Sequence, residues 1–384
     1  MMQDFLQTLL QQRQRAALYR TRQIHCGPQT PILWIEDQPY LAFCSNDYLG
    51  LANHPRLIKT LQQAVAHYAV GSGASHLITG HTQAHHALET ELATYTGRER
   101  ALLFSTGYMA NLGVITALFD RHDAIFLDKL NHASLIDAAL LSRAPIHRYP
   151  HQDLSVLERL LAQSTARHKL IATDGVFSMD GDLANLPQLV QLAKTYQAWL
   201  MVDDAHGLGV LGKTGRGTVQ KYNLSVDDVP ILMGTLGKAF GVLGAFVAGS
   251  ELLIETLIQT ARSYIYTTAL PPALAETIRT SLIIAQEESW RRQRLQQLIT
   301  YFRTVANQFQ LPLMPSVTPI QPILLGKTER ALAVSQALYK RGIIVTAIRP
   351  PTVPQGTARL RVTLSASHEE QQLDNLIMTL AKVL

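Results

Sequence analysis

From Thr82 onward the chain alternates two rhythms of apolar and polar positions. "TQAHHALETELATYTG" (Thr82–Gly97) repeats apolar residues every fourth place, at Ala84, Leu88 and Leu92, which lines one face of a helix. Gly97 follows as a residue suited to a left-handed C-terminal cap. "ALLFSTG" is then a short apolar run entering a turn, with the dimensions of a strand. The pair repeats through "YMANLGVITALF", "AIFLD", "HASLIDAALLS", "PIHRYP", "LSVLERLLAQ", "KLIATDGVF", "LPQLVQLAKTYQ" and "AWLMVDDAHG". "VPILMGTLGKAFG" and "GAFVAGS" close the series. Strand-like runs separated by helices from about Gly80 to Gly249 predict an α/β fold, a mostly parallel sheet covered by helices. Beyond it the pattern predicts one long helical tract from Pro271 to Phe309, then short strands and two helices of an α+β kind. Arg13, Arg15, Arg20 and Arg22 read as a basic N-terminal helix.

Composition narrows the class. Of 384 residues, 47% are hydrophobic and 16% charged, which suits a packed enzyme and excludes a disordered or fibrous chain. The net charge of +5 is spread along the chain without basic and aromatic clusters, so nucleic acid is not the expected partner and a small polyanion is. Cys26 and Cys44 are the only cysteines and stand in no metal-ligand spacing, which points to a reducing compartment and no metal. No apolar run reaches the roughly 18 residues of a membrane helix and no secretory leader is evident, so the expected location is the cytoplasm.

One stretch, "DDAHGLGVLGKTG" (Asp203–Gly215), fits two phosphate-binding patterns. Gly207, Gly209 and Gly212 spell G-x-G-x-x-G, and Gly207–Thr214 spells G-x-x-x-x-G-K-T. Either loop must pass into a helix whose N-terminus faces the phosphate. Here Gly215 and Gly217 follow, each opposing helix by about 1 kcal/mol. The next strand-like run, "VPILMG", neither offers an Asp for magnesium nor ends in an acid for a ribose. Context therefore counts against both patterns.

What remains is the polar end of the run: Asp203, Asp204 and His206. Carboxylates at the C-terminal end of a buried strand sit where α/β sheets bind ligands. An Asp three residues before a His can serve a heteroaromatic ring, one supporting a protonated ring nitrogen and the other a ring oxygen. "TLGKAFGVLG" (Thr235–Gly244) then places Lys238 among small residues after another apolar run. Gly237, Ala239 and Gly241 leave room for a ring, and partial desolvation favours the neutral amine that reacts with a carbonyl.

These segments resemble the α-oxoamine synthases, within the class II pyridoxal-phosphate enzymes of fold type I. The frame around Lys238 is similar to the lysine attachment signature T-x-G-K-[SAG]-x-[SAG], and the likeness runs from "SNDYLG" near Asn46 to "RLRVTLSA" near Arg361. The resemblance implies an aspartate aminotransferase-like transferase, with residues 1–50 an N-terminal segment packing with the small domain. It makes residues 51–270 the large cofactor-binding domain and 271–384 the small C-terminal α+β domain.

It also implies pyridoxal 5'-phosphate as cofactor, carried by Lys238, which doubles as catalytic base. Asp203 would partner the ring nitrogen and His206 the ring oxygen. Ser178 and Thr235 would complete the ring and phosphate contacts, with the amides of Gly107 and Tyr108 toward the phosphate. His132, in "LNHAS", matches a histidine stacked on the ring. Asp204 has no matching role.

The tail "TAIRPPTVPQGTARLRVTLSA" is similar to members that condense L-alanine with a pimeloyl thioester. By that likeness Arg361 clamps the amino-acid carboxylate as a fork. Arg349 and Thr352 line the acyl site, Arg20 contacts substrate, and Asn46 lies nearby. Relatives using glycine with acetyl- or succinyl-CoA share the cofactor residues. The resemblance further implies a homodimer, with "GSGASHLITGHT" (Gly71–Thr82) crossing between subunits, and coenzyme A or an acyl carrier protein as thioester donor. Rival classes are a nicotinamide oxidoreductase, a nucleotide hydrolase and a noncatalytic regulator.

Overall fold

The computed structural model describes all 384 residues. Two short N-terminal strands, β1 (Ile32–Ile35) and β2 (Gln38–Ala42), form a hairpin. The central sheet uses β3 (Arg100–Phe104), β4 (Ala124–Asp128), β5 (Ile146–Tyr149), β6 (Lys169–Asp174), β7 (Ala198–Asp203), β8 (Ile231–Thr235) and β9 (Ala245–Gly249). Their order is β3-β9-β8-β7-β6-β4-β5. Every pairing from β8 to β5 is parallel, and β9 alone runs against both its neighbours. Four further strands follow: β10 (Ile320–Gly326), β11 (Ile343–Ile344), β12 (Thr346–Ile348) and β13 (Ala358–Thr363). β13 lies between β10 and β12 in an antiparallel sheet, and β11 joins β2.

Alternation along the central strands explains why both faces are covered. In β4, Ile125 and Leu127 belong to one apolar cluster while Ala124 and Phe126 belong to another, all 2% exposed or less. Successive side chains point to opposite faces, so a strand apolar at every position must be buried twice. The helix Gln83–Thr96 buries Ala84, Leu88 and Leu92 as its spacing requires, and Gly97 closes it at φ +68°. The helix Pro272–Glu287 packs on this helix and on Pro55–Tyr68.

Two expectations need correction. The tract from Pro271 to Phe309 is two helices, Pro272–Glu287 and Trp290–Gln308, broken at Glu288 and Ser289. There Arg291 turns back, donating to Glu288 Oε2 and to the Leu49 carbonyl, so a tertiary contact decides the break. The N-terminal helix stops at Arg15 and therefore holds Arg13 and Arg15 without Arg20 or Arg22. Ala17 takes φ +54°, and Arg349 draws the chain away by donating to the carbonyls of Ala17 and Tyr19. The helices Glu251–Thr260 and Arg262–Ile265 add to those the pattern predicts.

The glycine stretch is a turn. Gly209, Gly212, Gly215 and Gly217 all have positive φ, and only five residues of helix follow. Lys213 is exposed on it. No helix is long and apolar enough to cross a membrane. Both cysteines are free.

Candidate active site

Parallel pairing delivers the polar strand ends to one edge of the sheet. Asp174 ends β6 and is in register with Asp203, which ends β7. Thr235 ends β8 three residues before Lys238, and His132 follows the end of β4 by four. β3 leads through Thr106, whose hydroxyl caps the amide of Met109, into the helix Gly107–Leu118. In a parallel sheet these carboxyl ends surround the ligand crevice.

Lys238 opens a chain of hydrogen bonds. Its Nζ is 2.8 Å from His206 Nε2, and His206 Nδ1 is 2.6 Å from the Tyr48 hydroxyl. Tyr48 donates onward to Asn46 Oδ1 at 3.3 Å, which also accepts from Arg361 at 3.2 Å. Burial lowers Lys238 to about 8 even though Asp203 and Asp174 pull it upward. Burial likewise holds His206 well below the ordinary histidine value, aided by Lys238 and Arg361, so its ring is neutral. Tyr48 is pushed up to about 12 by burial and keeps its proton. With Lys238 protonated, each proton has one acceptor in sequence: Lys238 to His206, His206 to Tyr48, Tyr48 to Asn46.

A second network holds the carboxylates. Asn111 donates to Asp203 Oδ2 at 2.7 Å and to Ser134 Oγ at 2.8 Å. Ser134 Oγ is 2.7 Å from His132 Nδ1, and the His132 amide donates to Asp174 Oδ2 at 2.8 Å. Burial lifts Asp174 well above the usual carboxylate range, with the neighbouring Asp203 charge adding to it. His132 is lowered by burial, against the pull of Asp203. Asp203 is 3% exposed and forms no ion pair within the chain. Asp204 faces away: Oδ2 accepts the Thr218 amide at 2.7 Å, and burial raises it to about 8.

The remaining expected residues fall into two groups. Arg361, on β13, donates to the Ser178 carbonyl at 2.6 Å, to Thr363 Oγ1 at 2.9 Å and to Asn46, leaving two of its five N–H groups. It pairs with no carboxylate, whereas Arg359 on the same strand is bound to Asp180. Gly107 and Tyr108 open their helix, and the Tyr108 hydroxyl meets Asp137. Thr235 directs its hydroxyl to the Gly244 carbonyl at 3.1 Å. Arg349, Thr352 and Arg20 stand apart from the Lys238 network. Arg349 is tied to the backbone beside Arg20, while Arg20 and Thr352 are exposed. Tyr48, Asn111, Ser134 and Asp174 are the contacts that sequence reading missed. Asn111 is one helical turn beyond Gly107, and Asp174 occupies in β6 the place of Asp203 in β7.

The profile of the family described as aminotransferase class I and II matches residues 38–380. The chain belongs to that family. Within the aminotransferases of class I and II it is 58% identical over 381 residues to the 8-amino-7-oxononanoate synthase of Saccharophagus degradans, covering 99% of this chain and 96% of that one. An 8-amino-7-oxononanoate synthase structure from Francisella tularensis is 36% identical, with a TM-score of 0.79 over 89% of this chain and 97% of that one. A serine palmitoyltransferase variant from S. paucimobilis with a bound PLP–myriocin aldimine is 28% identical, with a TM-score of 0.91 over 99% of this chain and 96% of that one.

The cofactor of this aminotransferase-family chain is pyridoxal phosphate. The donor set fits it. One amine lowered toward neutrality, one buried carboxylate without a cation, two imidazoles and an open helix N-terminus stand together. They suit in turn an aldehyde, a protonated ring nitrogen, a ring with its oxygen, and a phosphate. Asn111 Oδ1, beside Asp203, is also buried without a hydrogen-bond partner.

Proposed function

We propose that this chain condenses L-alanine with a pimeloyl thioester, releasing carbon dioxide and thiol, to form 8-amino-7-oxononanoate for biotin synthesis. The single observation that carries the reading is the Lys238 amine, brought to about 8 and held at the mouth of the sheet between His206 and two carboxylates. The identity to 8-amino-7-oxononanoate synthases over nearly the whole chain selects the reaction within the family.

Bound pyridoxal phosphate supplies a carbonyl for amines and a ring that accepts the electron pair left on the amino acid's α-carbon. Lys238 Nζ would hold that carbonyl and, as a neutral amine, would take the α-proton of alanine. Asp203, fixed by Asn111, would hold the ring nitrogen. His206, its orientation set by Tyr48, would hold the ring oxygen. The amides of Gly107 and Tyr108, joined by Ser178 and Thr235, would hold the phosphate. His132 would hold the face of the ring and would donate to the oxyanion that develops as the thioester is attacked.

Arg361 directs its two free N–H groups at the alanine carboxylate. Asn46 keeps the guanidinium in place. Arg20, Arg349 and Thr352 serve the far carboxylate of the pimeloyl chain. The working unit is a cytoplasmic homodimer in which Gly71–Thr82 reaches the second subunit. Its Leu77 and Ile78 expose 47% and 75% of their surface, which supports a covering partner.

The test is a matrix of amino acids against acyl thioesters, scored by thiol release. L-alanine with pimeloyl-CoA or pimeloyl-acyl carrier protein should exceed glycine with acetyl-CoA and serine with palmitoyl-CoA. Release with glycine and acetyl-CoA alone would assign a different acyl transfer.

A further inference from the structure

The segment Gly71–Thr82 and the helix after it carry histidines the reaction does not use. Thr82 caps the helix Gln83–Thr96, and His86 and Glu89 lie three residues apart on one of its faces. His81, just before the cap, folds over that face. One donor atom each from His81, His86 and Glu89 lies within 4.8 Å of the others, and His81 Nε2 is 3.9 Å from Glu89 Oε2. We propose that His81, His86 and Glu89 form a binding site for a divalent transition metal ion such as Zn2+, separate from the Lys238 network.

The outer hydrogen bonds leave the right atoms free. His81 Nδ1 is 3.0 Å from His76 Nδ1, so with the His81 proton on Nδ1 its Nε2 offers a lone pair to the shared space. The Leu103 amide holds Glu89 Oε1 at 3.0 Å and leaves Oε2 facing His81. His85 is excluded from the set, since its two nitrogens are engaged by Thr82 and by the Leu270 carbonyl.

A divalent cation bound here would take an ionised carboxylate and neutral imidazoles. Two ring nitrogens and one carboxylate oxygen suit zinc and its borderline neighbours better than magnesium or calcium, which prefer all-oxygen sets. His86 is exposed, so the ion can enter from solvent. Three protein ligands leave a further position for water. Occupied, the site would tie His76–Gly80 to the helix.

Chelator-stripped, pyridoxal-phosphate-loaded protein is titrated with Zn2+ by calorimetry, beside His81→Ala, His86→Gln and His122→Ala. His122 is an exposed histidine far along the chain and serves as control. Retained cofactor absorbance reports that each variant is folded. The expected result is one ion per chain in the unsubstituted protein and in His122→Ala, with affinity on the order of tenfold weaker or more in the other two. Unchanged affinity in His81→Ala or His86→Gln, or no binding by the unsubstituted protein, overturns the site.

Discussion

Lys238 Nζ and His206 Nε2 stand 2.8 Å apart, while the other nitrogen of His206 is held by Tyr48. The lysine follows β8 and the histidine follows β7, adjacent parallel strands, so the sheet itself sets their separation. The same register places Asp203 and Asp174 side by side.

Replacing Lys238 by Ala should abolish turnover and the borohydride-trapped cofactor adduct, which peptide mapping would otherwise find on Lys238. Lys213→Ala should leave both nearly intact, because Lys213 is exposed on the glycine turn. Activity lost only in the second variant would revive a nucleotide loop.

Cofactor attachment should follow the charge of Lys238. The amine titrates near 8, lowered by burial, and only its neutral form attacks a carbonyl. Below that value most molecules carry the ammonium, so the rate of uptake by apoprotein rises with pH and levels off above about 8. Stopped-flow absorbance would show this, and a rate independent of pH on both sides of that value would contradict it.

Asp203→Asn should retain folding and much cofactor binding, since Asn can keep a contact with Asn111. The α-proton exchange of alanine, followed in deuterated water, should slow on the order of a hundredfold, the scale of losing one placed electrostatic partner. Exchange at the normal rate would remove Asp203 from the ring.

Arg361 and Arg359 should fail differently. Hydrogen bonds to charged groups contribute about 1.5–3 kcal/mol, so Arg361→Lys should raise the KM for alanine on the order of tenfold or more. Arg359→Met instead leaves Asp180 buried without its cation, which costs roughly 3–5 kcal/mol and should show as a lower melting temperature. Equal KM effects in the two variants would undo the distinction.

His151 supplies a pH-dependent part of stability. Burial pulls its imidazole down, but the Asp128 and Asp182 carboxylates outweigh that and lift it to about 10. A raised folded value stabilises fully below the unfolded value of 6.5 and is lost as pH climbs through about 10. The melting-temperature gap between the natural protein and His151→Gln should therefore be wide at neutral pH and narrow toward 10. A gap that stays constant would assign the effect to packing.

The sequence by itself determined the alternation of strands and helices, because short continuous apolar runs such as Ala124–Leu127 and the period-3.6 spacing of Ala84, Leu88 and Leu92 are written into neighbouring residues. It also marked Asp203, His206 and Lys238, whose polar types interrupt apolar strand ends. Where helices stop was decided by distant arginines: Arg291 reaching Leu49, and Arg349 reaching Ala17. Tyr48, Asn111 and Asp174 joined the site only through folding, which brings Tyr48 to a histidine 158 positions away. Such contacts depend on strand order and register, which no local pattern encodes, since the same apolar run can pair with any neighbour that buries it.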